Sequence, residues 1–398
     1  MDIFGNFNEL NGIIANKGGE KEIELNLVDL MQLNRAVKCA EAGEYPQALS
    51  VYTKFIKRYP NAYGLYLRRA MCRFEQQKYK LALPDFIKAM ELLGDNAHIY
   101  ARQAMCYEKL NKRPEALLNY NKAIELEPNT AVFYSLRALN YEWLDEYKLA
   151  IADYSKAVAL SPSEVDFLLS RAECYYQNDD NALAITDYKK ILTLQPQNAK
   201  VYNSLGRCYF KLDQYPEAAS VFTKGIKLFP NEARFYAGRG SCYSHMDKEK
   251  EAIADLTQCV ALEPALADAH ACLAENYYNI ENYKKALASY TKAIELEADV
   301  AHFYSGRASC YRALNNYQAA LADYTKAVAL ESNDAELYGW RGYCSLRVNH
   351  YYEAVADLNL AINLDPLNSM YFMLRGKAYS LLGDDGKATA DFAQAEVL

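Results

Sequence analysis

The sequence contains no uninterrupted apolar run of about 18 residues, so no segment is long enough to cross a bilayer as a helix. Its first residues lack the basic-then-apolar order of a secretory signal. Blocks of like charge are missing as well: the net charge of −7 is spread along all 398 residues, which argues against nucleic acid or an anionic membrane surface as partner. Histidine is scarce, and the five present (His98, His245, His270, His302 and His350) form no HExxH spacing. No CxxC pair, GxxxxGK[ST], GxSxG or GxGxxG occurs, so zinc ribbons, phosphate-cradling loops and nucleophile elbows have no candidate residues. No metal and no cofactor is expected. With no export signal the expected compartment is the cytoplasm, where the ten cysteines would remain thiols.

What the chain does have is tyrosine, 35 in all, and an apolar fraction of 51%, ample for a core. A period of 34 accounts for both, with repeats starting at Asp29, Tyr63, Ala97, Ala131, Val165, Ala199, Ala233, Ala267, Ala301, Ala335 and Ser369 and no insertion anywhere. Counting places from each start, place 8 is Ala or Gly in all eleven repeats (Ala36 through Gly376), and place 20 is always Ala. Each repeat reads as two amphipathic helices. Tyr134, Ala138 and Tyr141 share one face of the first, while Ala150, Tyr154 and Ala157 share one stripe of the second. A polar turn such as Leu144-Asp145-Glu146 separates them. Proline recurs just past the second helix, at Pro60, Pro128, Pro162, Pro196, Pro230, Pro264 and Pro366, where its fixed φ and missing N–H stop the helix. Pro46, Pro114 and Pro216 fall in the first turn of the second helix, where proline is tolerated. Pro84 lies further in, and a local distortion is expected there.

Tyrosines concentrate at places 4, 11, 17 and 24, around the small residues, so their abundance reads as packing. A repeat this short cannot bury both faces alone and must stack on its neighbours. The period, the small residue at place 8, Tyr at 11, Ala at 20, an aromatic at 24 and Pro at 32 together resemble the tetratricopeptide repeat family, over residues 29–398. The resemblance implies an all-α, right-handed superhelical solenoid of antiparallel helix pairs. It also implies that first helices line a concave groove that binds proteins or peptides.

Two repeated residue types look chemical and read as structural. Seven cysteines share place 10 (Cys72, Cys106, Cys174, Cys208, Cys242, Cys310 and Cys344). Successive copies are two helix layers of roughly 8–10 Å apart, beyond the ~7 Å Cα limit of a disulfide. Arginine occupies place 7 in eight repeats, and seven of these face an aspartate at place 23: Arg69 with Asp85, Arg137 with Asp153, Arg171 with Asp187, Arg239 with Asp255, Arg307 with Asp323, Arg341 with Asp357 and Arg375 with Asp391. Where place 7 is Gln103, Leu205 or Leu273, place 23 is Asn119, Val221 or Ser289. This co-variation within one chain predicts an ion pair between the two helices of a repeat. Arg35, opposite Val51, is the arginine expected to stand apart.

By the family resemblance, places 2, 5, 6, 9, 12 and 13 line the groove. They vary here while the packing places do not. Repeats 1 to 4 supply Leu30, Leu33, Val37, Leu67, Met71, Phe74, Met105, Val132, Leu136, Leu139 and Trp143, with Arg68 and Arg102 at equivalent places among them. Hydrophobic anchors and an acidic residue on an extended partner segment would suit such a strip. In repeats 7 to 9, Ala237, Gly238, Ser241, Ala271, Cys272, Ser305, Gly306 and Ser309 are expected to leave room for a backbone. The residues of a carboxylate clamp for chaperone tails are not present, since Leu33 and Val37 stand where Lys and Asn are required. Nor is there an asparagine ladder at place 6, which holds Asn34, Arg68, Arg102, Leu136, Ser170 and Ser204.

Residues 1–28 lie outside the register. Ile3, Phe7, Leu10 and Ile14 have the spacing of a short amphipathic helix followed by a Gly18-Gly19 hinge, expected to fold back onto an apolar surface or into the groove. At the other end, places 21 and 28 become polar at Thr389 and Glu396, as a terminal repeat requires, with weak end-to-end self-association still open. The expected function is a non-catalytic scaffold or adaptor that holds a protein or peptide. The alternatives are a structural subunit docked through convex and end surfaces, or an accessory activator of a partner enzyme.

Overall fold

A computed structural model describes residues 26–398. The described residues form 22 α-helices and no strand, and the chain divides into two compact units after Pro196. The first unit holds α1 (Leu27–Glu41), α2 (Tyr45–Arg58), α3 (Tyr63–Glu75), α4 (Tyr79–Leu93), α5 (Ala97–Lys109), α6 (Arg113–Leu126), α7 (Ala131–Glu142), α8 (Tyr147–Leu160), α9 (Val165–Gln177) and α10 (Asn181–Leu194). The second holds α11 (Ala199–Lys211), α12 (Tyr215–Leu228), α13 (Ala233–Ser244), α14 (Glu249–Leu262), α15 (Ala267–Asn279) and α16 (Tyr283–Leu296). It continues with α17 (Ala301–Ala313), α18 (Tyr317–Leu330), α19 (Ala335–Arg347), α20 (Tyr351–Leu364), α21 (Ser369–Leu381) and α22 (Asp385–Val397). Within each unit consecutive helices pack as hairpins, and hairpin packs on hairpin.

The 34-residue register sets the helix boundaries. Every second helix starts at place 17, and every first helix but one starts at place 1. The exception, α1, begins at Leu27, two residues early, because the Asn26 carboxamide accepts from the Asp29 N–H at 2.8 Å and caps the helix there. The proposed fold-back helix over Ile3–Ile14 lies outside the described residues. All eleven first helices end the same way, with a left-handed residue at place 15, from Gly43 through Gln77 (φ 58°) and Asp145 (φ 57°) to Gly383. That conformation lets the Lys78 N–H reach back to the Arg73 carbonyl at 2.8 Å, closing the helix end. Gly, Asn and Asp tolerate it best, which explains the polar turns. α4 runs through Pro84, the sixth of its fifteen residues. The proline has no N–H to donate to the Lys80 carbonyl, so the helix continues one main-chain hydrogen bond short.

The core is built around place 24. Tyr52, Phe86, Tyr120, Tyr154, Tyr188, Phe222, Leu256, Tyr290, Tyr324 and Leu358 are all at most 3% exposed, and so is every alanine at place 20. Each such side chain contributes about 1.5–3 kcal/mol by burial. It needs a small neighbour at place 8. A Cβ on Gly206 would come within 2.5 Å of the Phe222 ring, so no side chain fits there without displacing it. The last ring, Phe392, is 38% exposed.

All seven Arg–Asp pairs form, each two-pronged, with Nε donating to Oδ2 at 2.6–2.8 Å and Nη2 donating to Oδ1. Six of the seven arginines also donate from Nη1 to place 25 of the preceding repeat: Thr53, Asn121, Ser155, Thr223, Thr291 and Asn359. The fork therefore joins the two helices of one repeat and ties that repeat to the one before it. In the first repeat, where Arg35 is exposed, a different pair forms between Arg58 and the buried Asp29.

The seven cysteines of place 10 are buried and unpaired by disulfides. Burial pushes the Cys106, Cys208, Cys242, Cys310 and Cys344 thiols up to about 12. The fold favours the neutral thiol, so its contribution is fully present below the unfolded thiol's value near 9.0 and is lost as pH climbs from there towards 12. Melting temperature should therefore fall between pH 8.5 and 11, and Cys208→Ala/Cys310→Ala should flatten that slope. An unchanged slope would assign the alkaline loss elsewhere. For the forks, Arg307→Leu should cost about 3 kcal/mol in urea unfolding, because a carboxylate only 7% exposed loses its partner. Arg307→Leu/Asp323→Leu should recover most of it. Equal losses in the single and double variants would show that volume, and not charge, is what matters.

Candidate binding groove

In the first unit, the first helices α3, α5 and α7 present a row of partly exposed apolar side chains. Met71, Phe74, Met105 and Leu136 each lean on the core with one edge and keep another edge at the surface. Leu139 is 42% exposed. Val37 on α1 is similarly half-buried. Two residues expected here do not belong to the wall. Leu33 is 0% and Leu67 7% exposed, each packed in the apolar cluster of its own hairpin. The reason is geometric: place 5 is three residues before place 8 on the helix, so a long side chain there follows the small residue into the core. Trp143 also departs from the row. It caps the C-terminal end of α7 with its ring 69% exposed, under the guanidinium of Arg113, which lies 4.9 Å from its centroid.

Arg68 and Arg102 are both half-buried beside the row and both engaged. The Arg102 guanidinium carbon lies 5.1 Å from the centroid of Phe74, which joins place 6 of one repeat to place 12 of the preceding one. Arg68 stands close to the Tyr52 hydroxyl. Two carboxylates missing from the sequence-based list share the site at place 12, Glu108 and Glu142. Burial raises both carboxyl groups above the usual range, opposed at Glu142 by the hydrogen bond from the Tyr154 hydroxyl and at Glu108 by the nearby Tyr120 hydroxyl. Asn140, 0% exposed, donates to Glu108 at 3.1 Å. The row is thus cationic in repeats 2 and 3 and acidic in repeats 3 and 4. Place 12 belongs to the groove set, so the two glutamates were findable; the apolar character of the row concealed them.

In the second unit the expected open space of repeats 7 to 9 is already filled. A Cβ on Gly238 would meet Phe222 at 2.5 Å, and one on Gly306 would meet the Tyr290 ring at 2.3 Å. These glycines admit the place-24 ring of the preceding repeat, not a foreign backbone. Ser309 is occupied as well, by the Tyr324 hydroxyl at 3.0 Å. Arg312 at place 12 stacks 3.9 Å from the centroid of Trp340 at place 6, the Phe74–Arg102 contact with cation and ring exchanged. His302 bonds Glu275 at 2.6 Å, and that bond raises its imidazole pKa. Among the described residues no group of three or more His, Cys, Asp or Glu is placed to hold a metal, and no helix is long and apolar enough to cross a membrane.

Tetratricopeptide-repeat profiles match residues 40–98, 97–130, 137–199, 176–242, 233–266 and 273–335. No curated protein sequence matches the chain. Among solved structures it is similar to a tetratricopeptide repeat protein from Parabacteroides merdae, with 19% identity over 58% of this chain and 92% of that one and a TM-score of 0.46. It is similar also to YrrB, titled a TPR protein with an unusual peptide-binding site (25% identity, 46% and 95% covered, TM-score 0.40). A third is the APC/C hetero-tetramer Cut9–Hcn1 (13% identity, 93% of each chain covered, TM-score 0.45). With repeat profiles matched from residue 40 to residue 335 across all but two short gaps, and a helical hairpin at every step of the register, the chain belongs to the tetratricopeptide-repeat family.

Proposed function

We propose that this protein is a non-catalytic scaffold that holds an extended segment of a partner protein along the first helices of repeats 2 to 4. The observation that carries the reading is the row Met71, Phe74, Met105, Leu136 and Leu139, apolar side chains left partly exposed beside two arginines while the packing places around them are saturated. Membership of a repeat family built for protein contacts supports it. The segment would bring apolar anchors for the row and an acidic residue for Arg68 and Arg102. Toward repeat 4, where Glu108 and Glu142 lie, a basic or neutral residue fits better than a second acidic one.

A second reading has its own observation. On the second helices of the same unit Leu81, Leu118, Leu149 and Leu183 are 48–65% exposed, a set of leucines that a monomer has no need to display. A subunit docked through those helices would use them.

Charge reversal separates the two. Arg68→Glu with Arg102→Glu should weaken capture of a groove-bound partner by a hundredfold or more, on the order of 3 kcal/mol for two charge-assisted contacts. Leu118→Asp with Leu149→Asp should leave that capture unchanged. The measurement is affinity purification from source-cell extract followed by titration of the recovered partner. If the leucine pair abolishes binding and the arginine pair does not, the groove reading is wrong.

A further inference from the structure

In repeat 10 a packing place, not a groove place, departs from the pattern. Place 11 carries tyrosine in eight of the eleven repeats, and here it is Ser345, 2% exposed. In sister repeats the tyrosine ring at this place lies against the guanidinium at place 7: 5.7 Å for Arg171 and Tyr175, 5.8 Å for Arg239 and Tyr243, 6.0 Å for Arg375 and Tyr379. With serine in its stead a cavity of about 310 Å³ opens between α18, α19 and α20, lined by Leu321, Arg341, Ser345, His350, Glu353 and Ala356 among others. That volume is at the lower end of what binds organic ligands.

The same repeat also breaks the polar tie. Arg341 forms the fork with Asp357, yet it alone of the seven makes no Nη1 bond to place 25 of the preceding repeat, occupied here by Thr325. Among the described residues neither Arg341 Nη1 nor the Ser345 hydroxyl has a hydrogen-bond partner. The cavity therefore has a shape template, the place-11 ring that three sister repeats set against their guanidinium, and two polar groups on its wall that no other side chain of the chain engages. A plain phenyl ring would fill the space and leave the guanidinium edge unsatisfied, whereas a phenol oxygen can accept from it.

We infer that this cavity is a docking pocket for a tyrosine side chain of a binding partner, which inserts where the sister repeats place their own ring. The site lies between one first helix and two second helices in the second unit and does not depend on the groove proposed above. Its polar wall selects phenol over benzene, and its serine is the specificity-determining residue.

The test uses the full chain, with p-cresol as probe and toluene as the control of equal shape, followed by isothermal titration and by chemical-shift mapping of repeat 10. p-Cresol should bind one equivalent, with toluene about tenfold weaker or more. Ser345→Tyr, which supplies the ring in cis, should raise the melting temperature and the p-cresol Kd by about tenfold or more. Should that variant fail to fold, Tyr243→Ser carries the test from the other direction: it opens the corresponding cavity in repeat 7 and should add a second equivalent. No p-cresol binding up to its solubility limit, equal affinity for toluene, or binding untouched by Ser345→Tyr would overturn the pocket.

Discussion

Everything in this fold turns on where the place-24 ring goes. It sits on place 8 of its own repeat, which must therefore be Ala or Gly, and its far edge reaches place 6 of the next, as Phe222 reaches Gly238 and Tyr290 reaches Gly306. Interiors this closely packed leave no slack for an extra methyl group. The place-24 side chain thus fixes the small residue at place 8 and the approach of two helices, and in repeats 7 and 9 it also fixes the glycine at place 6. It also defines the inner surface, since its hydroxyl emerges there: Tyr154 bonds Glu142, and Tyr324 meets Ser309.

Burial of a ring is non-directional, and something else must set angle and register. The arginine at place 7 does this with a planar fork that accepts only one arrangement of its carboxylate. In six repeats its remaining Nη1 bond to place 25 then orients the hairpin on the one before. The forks are nearly buried, so a partner would have to break them to use them. Two neighbouring places on one helix turn carry the same residue type in different settings: Arg69 holds the scaffold, whereas Arg68 lies half-buried beside the apolar row.

Most of this was legible from residues because the chain repeats itself. Helix boundaries, the small residues, the buried thiols and all seven forks follow from comparing eleven copies, where co-variation between places 7 and 23 acts as an internal alignment. The place-25 tie was legible by the same comparison, since Thr, Ser or Asn precedes every arginine of repeats 2 to 11 at place 7. What escaped was anything depending on the third neighbour. Leu33 and Leu67 sit at a nominal groove place, but their length lets them follow the helix into the core. Gly238 and Gly306 look like vacancies in a one-helix view and are contact points once the preceding ring is added.

Variation therefore carries different meanings at different places. A groove place is free to change, so a change there says little by itself. A packing place is held by its neighbours, and losing a large side chain from it costs several kcal/mol if nothing refills the space. Repeats 4 and 8 replace the place-10 cysteine by Asn140 and Asn276, whose amide N–H groups donate to Glu108 and to Ser244. In the second repeat Arg73 stands in for the place-11 tyrosine and likewise finds Asp85 and the Leu81 carbonyl. At Ser345 the chain supplies no side chain to refill the space of the missing tyrosine, and an unfilled packing place is what distinguishes the proposed pocket from a substitution whose contacts are remade.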